Sequence, residues 1–190
     1  MAQEHTGNNN SILKIALNLI CACLISGLII AVVYTLTAST AAAKQDELKK
    51  DSLKSLVTAD NFQAIAGKPE WSAALKDGQT IAYIVPTESK GYSGAIKLLV
   101  AISPDQKVIK YSILESKETP GLGDKAKDEP FAGQFTGKGV EQLDPLNDVT
   151  KTNENGKIQA ISGSTITSRA VTKAVQEAVE EVTVFVQGGQ

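Results

Sequence analysis

Three patterns of apolar and polar positions follow one another along this chain, and each predicts a different element. Between Ile15 and Ala43 there is no Asp, Glu, Lys or Arg in a run of 29 residues. That exceeds the roughly 20 apolar residues a helix needs to cross a bilayer. Further on the period shortens to two. Residues 80–85, 95–102 and 108–114 read as strands, the first stopped by Pro86 and the second apolar on both faces, hence buried. The short connection 103–107 implies that the last two pair antiparallel. Near the C-terminus, Val171, Ala174, Val175, Ala178, Val179, Val182 and Val186 fall at the i, i+3, i+4, i+7 spacing of one helical face.

The stretches between these patterns are less regular. Residues 45–56 are charged and helix-permissive, and continue the membrane helix or form a stalk. Residues 62–75 are ambiguous, with a break expected at Gly67-Lys68-Pro69 and Trp71 as a core or rim anchor. Residues 144–157 read as loop and 158–161 as a strand. The predicted architecture is α+β: an N-terminal transmembrane helix, then a small antiparallel sheet with packed helices. The predicted division is a tail over 1–14, a membrane helix over 15–43, a stalk and helical lead-in over 44–78, and a folded domain over 79–190.

The apolar run favours an uncleaved anchor. It is longer than the 7–15 apolar residues of a secretory signal, although Ala41-Ala42-Ala43 has the small residues of a cleavage site. A lipoprotein signal would end at its cysteine, and this run continues well past Cys21 and Cys23. Charge alone orients the helix weakly. Lys14 stands on one side, and Lys44, Asp46, Glu47, Lys49 and Lys50 stand on the other, a count that would leave the folded part in the cytoplasm.

Composition then narrows the chemistry. The formal net charge is −2 and no basic stripe is present, which argues against nucleic acid as a partner. Both cysteines lie inside the membrane run, and the single histidine, His5, precedes it. The folded part therefore has no Cys or His for a zinc site, a Ser-His-Asp triad, a cysteine nucleophile or a disulfide. No clustered-ligand motif points to a metal. Redox chemistry there requires an organic cofactor, and a flavin meets that requirement.

Two segments carry the strongest candidate chemistry. Ile161-Ser162-Gly163-Ser164-Thr165-Ile166-Thr167-Ser168-Arg169 sets five hydroxyl side chains around one glycine and runs into the C-terminal helix. Free N–H groups and the dipole at a helix N-terminus favour an anion, phosphate above all, although a Ser/Thr N-cap accounts for part of the pattern. Thr119-Pro120-Gly121-Leu122-Gly123 places two glycines and a proline around one leucine, a loop that a flat ligand can approach closely. It reads equally as a tight turn between strand and helix. A third segment, Gly91-Tyr92-Ser93-Gly94, is a turn-like bend.

Taken in order, Glu118-Thr119-Pro120-Gly121-Leu122-Gly123, then Phe131, Gln134 and Phe135, then Ser162-Gly163-Ser164-Thr165-Ile166-Thr167 resemble the FMN-binding domain family. That family includes the G subunit of the Rnf electron-transport complex and the C subunit of the Na+-translocating NADH:quinone reductase. The likeness covers the whole chain, and the Rnf-type members are the more similar in length. The resemblance implies covalent FMN, joined by its phosphate to the threonine of a Ser/Thr-Gly-Ala-Thr motif. Here that residue is Thr165, with Thr167 the nearest competitor. Ser164 replaces the usual alanine, and Gln159 stands where an acidic residue often precedes the motif. Ser162, Gly163 and Ser164 complete the motif. The resemblance puts Thr119, Pro120, Gly121, Leu122 and Gly123 beside the ring, and Thr167 and Arg169 near the phosphate. Lys90, Tyr92 and Glu118 are further candidates, and no catalytic residue is expected.

The function implied is that of a membrane-anchored electron relay within an Rnf-type complex, which couples ferredoxin/NAD electron transfer to ion transport. The expected partners are membrane, flavin and iron–sulfur subunits, lipid around the N-terminal helix, and a flavin transferase for maturation. Family members carry the folded domain on the extracytoplasmic side of the cell membrane, which overrides the charge-based orientation. No independent substrate turnover is expected. The residues alone also fit a tethered, cofactor-free binding module or a stand-alone extracytoplasmic flavin reductase.

Overall fold

The computed structural model of the protein describes residues 9–188. Of the tail expected over 1–14, residues 1–8 lie outside the described residues. The chain divides into two compact units, residues 1–47 and 48–190. In the first, helix α1 (Asn9–Leu56) begins, and within it Ile12–Thr37 is long and apolar enough to cross a membrane. Its large side chains are exposed throughout, Leu24, Leu28 and Leu36 among them. A span apolar all round and exposed in this way is suited to lipid, because its backbone polar groups are satisfied internally.

The second unit is built on a five-stranded antiparallel meander in the order β1 (Asn61–Ile65), β2 (Lys68–Lys76), β3 (Gln79–Lys90), β4 (Ala95–Ile102), β5 (Val108–Glu115). Period-two alternation gives the sheet two buried faces. Val85 of β3, Ile96, Leu98, Val100 and Ile102 of β4, and Val108 and Tyr111 of β5 pack into the larger core. Ala82 and Ile84 of β3 and Leu99 and Ala101 of β4 pack into a smaller one, closed by Leu53 and Leu56 at the end of α1. This explains why β4 reads as apolar on both faces.

The larger core is covered by α3 (Thr165–Gly188), whose Val171, Ala174, Val175, Ala178, Val179 and Val182 are buried. Each valine contributes on the order of 1.5–3 kcal/mol of burial. Trp71 anchors this face, edge-on to Phe185 at 5.5 Å between ring centroids. Between β5 and α3 lie one 3₁₀ turn, the one-turn helix α2 (Glu129–Ala132), two further 3₁₀ turns, and a small parallel pair, β6 (Val149–Thr150) with β7 (Ile158–Gln159). Phe131, Phe135 and Tyr111 seal this part of the core edge-to-face. The buried Tyr111 hydroxyl donates to the Ala126 carbonyl. Burial, with a smaller contribution from the Glu129 carboxylate, raises this phenol above its ordinary range.

Four local expectations are corrected. Residues 61–76 are strand rather than helical lead-in, because Gly67, at φ 79°, closes a hairpin between β1 and β2. Pro86 does not stop β3. The register with β2 ends at Ile84, so the strand is free on that side where proline has no N–H to give. The loop expected over 144–157 contains β6. The strand expected over 158–161 ends at Gln159.

Candidate functional site

The site begins with two turns of the same kind. In the first, the Leu122 N–H donates to the Thr119 carbonyl at 3.1 Å, with Pro120 and Gly121 between them. Gly121 takes φ 76°. Proline at the second position and a positive-φ glycine at the third are the signature of a type II turn. In the second, the Ser164 N–H donates to the Ile161 carbonyl at 2.9 Å around Ser162 and Gly163, and Gly163 also takes φ 76°. The two turns touch: a Cβ on Gly163 would stand 3.3 Å from a Leu122 methyl.

The second turn feeds straight into α3, of which Thr165 is the first residue. Ser168 locks the junction. Its hydroxyl donates to the Ser164 carbonyl at 2.9 Å and accepts the Ile161 N–H at 2.9 Å. On the far side, the Gln134 amide braces the approach to this turn. Its Oε1 accepts the Gln159 N–H at 2.7 Å, and its Nε2 donates to the Gln159 carbonyl at 3.3 Å, as a neighbouring strand would. The Ala160 N–H in turn donates to the Thr150 carbonyl at 2.8 Å.

Around these turns lies a cleft of about 830 Å³, within the 300–1,000 Å³ usual for a cofactor pocket. Its wall includes Thr119, Leu122, Gly123 and the whole run 159–167. Its lining includes three exposed apolar side chains, Tyr92, Leu122 and Ile166. It also includes Ser162 and Thr165 at the start of α3, where the first-turn N–H groups have no intrahelical partner. This lining offers apolar surface to a flat ring and helix N-terminal donors to an anionic group.

Glu118 is the buried polar centre of the wall. Its Oε2 accepts the Thr167 hydroxyl at 2.5 Å, and its Oε1 accepts the Ser93 N–H at 2.9 Å. Gly91 and Gly123 are glycines because the carboxylate occupies their Cβ positions. A Cβ would stand 2.5 Å from Glu118 Oε1 at Gly91 and 2.7 Å from Glu118 Cβ at Gly123. The bend 91–94, the loop 119–123 and the first turn of α3 therefore meet at one carboxylate.

Of the residues singled out in the sequence, Thr119, Leu122, Gly123, Ser162, Gly163, Ser164, Thr165, Thr167, Tyr92 and Glu118 line this cleft. Pro120 and Gly121 shape its turn without lining it. Arg169 is exposed two residues beyond the last lining residue, Thr167, and Lys90 is exposed at the end of β3. Sequence reading missed Lys151 as a lining residue. It sits in a polar stretch whose only signal is the valine of the two-residue β6.

Residues 91–180 match the family model of the FMN-binding domain. The G subunit of the proton-translocating ferredoxin:NAD(+) oxidoreductase complex of Clostridium ljungdahlii is 51% identical over 182 residues, which are 95% of this chain and 97% of that one. The G subunit of the Na(+)-translocating ferredoxin:NAD(+) oxidoreductase complex of Acetobacterium woodii is 38% identical, over 73% of this chain and 71% of that one. Among solved structures, the C subunit of the Na(+)-translocating NADH-quinone reductase of Parabacteroides distasonis superposes with a TM-score of 0.50. It is 25% identical and the likeness covers 61% of each chain. The fold and its cleft are thus those of an FMN-binding domain, preceded here by one apolar helix long enough to span a membrane. The chain belongs to the G-subunit family of ion-translocating oxidoreductase complexes.

Proposed function

We propose that this protein is a membrane-anchored flavoprotein subunit that carries FMN covalently on Thr165 and relays electrons within an Rnf-type complex. The observation that carries the attachment site is the contrast between two threonines. Thr165 is the first residue of α3 and only half-buried in the cleft wall, whereas Thr167 is buried and its hydroxyl is committed to Glu118. FMN, when bound, supplies one- and two-electron transfer at its ring.

The chain's own residues hold and orient the group. First-turn N–H groups of α3 suit a phosphodiester, and the helix dipole adds about 0.3–1 kcal/mol, more where partly buried. Ser162, Gly163 and Ser164 present the attachment turn. Thr119, Leu122 and Gly123 form the wall for the ring, and Pro120 and Gly121 set the turn that aims Leu122. Thr167 supports the wall through Glu118. A covalent link retains the cofactor on the extracytoplasmic side, where it cannot be resupplied.

The G-subunit relatives are components of ferredoxin:NAD(+) oxidoreductase complexes that translocate protons or Na(+). The same coupling of ferredoxin/NAD electron transfer to ion transport is proposed here. Membrane, flavin and iron–sulfur subunits are the neighbours, and a flavin transferase is the maturation enzyme. The test is denaturing electrophoresis of the full chain, produced in a host with flavin transferase, followed by peptide mass measurement. Yellow fluorescence should stay with the band and an FMN adduct with the peptide containing Thr165. A colourless band from protein that was yellow before denaturation would overturn covalent attachment.

A further inference from the structure

The cleft is lined by two charged side chains, Glu118 and Lys151. Glu118 is 7% exposed. Among the described residues it forms no ion pair. Buried carboxylates usually have a cationic partner, because desolvating a lone charge is costly. Here its two hydrogen-bond donors, the Ser93 N–H and the Thr167 hydroxyl, are both neutral and bring no compensating charge. The two bonds hold one oxygen each, Oε1 beside Gly91 and Oε2 beside Gly123, where the missing Cβ atoms leave room for the carboxylate.

Lys151 is the counterpart. It is exposed on the bend after β6. Its backbone is fixed next to the attachment turn, since the Ala160 N–H donates to the Thr150 carbonyl and the Thr150 hydroxyl donates to the Thr152 carbonyl, each at 2.8 Å. Among the described residues it too has no acidic partner.

We infer that these two charges set the midpoint potential of the flavin in this cleft in opposite senses, Glu118 lowering it and Lys151 raising it. The inference rests on the flavin reading above. Electrons added to a flavin increase its negative charge. A fixed carboxylate in a wall of low dielectric opposes that addition, and an ammonium group favours it. Glu118 should have the larger effect, because solvent screens the exposed lysine.

Glu118→Gln removes the charge at nearly constant volume. The amide oxygen can accept the Ser93 N–H, and the amide nitrogen can donate to Thr167 Oγ1 once that hydroxyl turns. Lys151→Gln removes the opposite charge and leaves the Glu118 hydrogen bonds intact. The experiment is redox titration of the visible flavin absorbance in the full-length, flavin-loaded chain in detergent. The expected result is an upward shift for Glu118→Gln and a smaller downward shift for Lys151→Gln, with the adduct still on its peptide in both. Structural damage would not move two variants in opposite directions. If Glu118→Gln loses its flavin, Lys151→Gln decides: a downward shift supports the inference and an unchanged potential overturns it. Flavin-loaded variants that titrate as wild type overturn the inference alone, whereas a wild-type chain without flavin overturns the reading beneath it.

Discussion

Thr167 and Glu118, 49 residues apart in the chain, share a buried hydrogen bond of 2.5 Å that joins the first turn of α3 to the start of the 119–123 loop. The bond leaves the Thr167 hydroxyl both buried and occupied, in keeping with the proposed attachment at Thr165. Thr167→Val should keep the covalent flavin but leave Glu118 Oε2 without its donor. An unsatisfied buried group of this kind costs about 1–3 kcal/mol. Denaturant unfolding of the variant should show that loss at an unchanged m-value, and loss of the flavin would put the attachment on the wrong threonine.

The same carboxylate explains two glycines. Gly123→Ala would place a Cβ 2.9 Å from Thr167 Oγ1 and 2.7 Å from Glu118 Cβ, and Gly91→Ala would place one 2.5 Å from Glu118 Oε1. Each should destabilise the folded domain by about 1–3 kcal/mol, the usual cost of overpacking. Gly94→Ala, whose Cβ would meet nothing closer than 3.8 Å, serves as the control. Equal midpoints for all three in denaturant unfolding would contradict the clasp around Glu118.

Away from the cleft, Asp144 holds the chain ahead of β6. Its carboxylate accepts the Leu146 N–H at 2.7 Å, the Asn147 amide at 2.6 Å and the Asn147 N–H at 3.2 Å. These bonds, led by the one from Leu146, hold its carboxyl below the usual carboxylate range. A folded-state value below the unfolded one stabilises the protein above the unfolded value of about 3.9, and that stabilisation disappears as the pH falls through the folded value. Asp144→Ala should therefore lower the melting temperature at neutral pH, with the gap from wild type closing below about pH 4. A gap that stays constant down to pH 2 would count against the pairing.

How much of this could be read from the residues alone depended on the length of each signal. The valines of α3 and the alternation of β3 to β5 repeat often enough to identify their elements. The hairpin of β1 and β2 does not, because its register slips at Ala64/Ile65 and the register of β2 with β3 slips at Ala74/Leu75, which breaks the period of two. In the site, the two glycine turns were legible from their chemistry, since proline followed by glycine and a hydroxyl cluster before a helix have few uses. Arg169 pointed to the phosphate only by nearness in sequence. It stands two residues, about 3 Å along the axis, past Thr167, the last residue of α3 that lines the cleft. Lys151 was hidden because a two-residue strand has no period, and only the pairing of β6 with β7 brings it to the wall.

The apolar helix makes a separate prediction. Ile12–Thr37 should keep the protein in the membrane fraction through high-salt and alkaline carbonate washing. Protease added from the extracytoplasmic side should digest the chain beyond residue 44. Release by carbonate would refute an uncleaved anchor, and digestion only from the cytoplasmic side would reverse the topology.

The central claim is that Thr165 carries the flavin, and peptide mass measurement on three variants tests it most directly. Thr165→Val keeps the side-chain shape and removes the nucleophilic oxygen. It should fold and lose covalent FMN, whereas Thr167→Val and Ser164→Ala should retain the adduct on the peptide that begins the C-terminal helix. An adduct that persists in Thr165→Val and vanishes in Thr167→Val would move the attachment by two residues, and one that persists in all three would contradict the assignment of this turn.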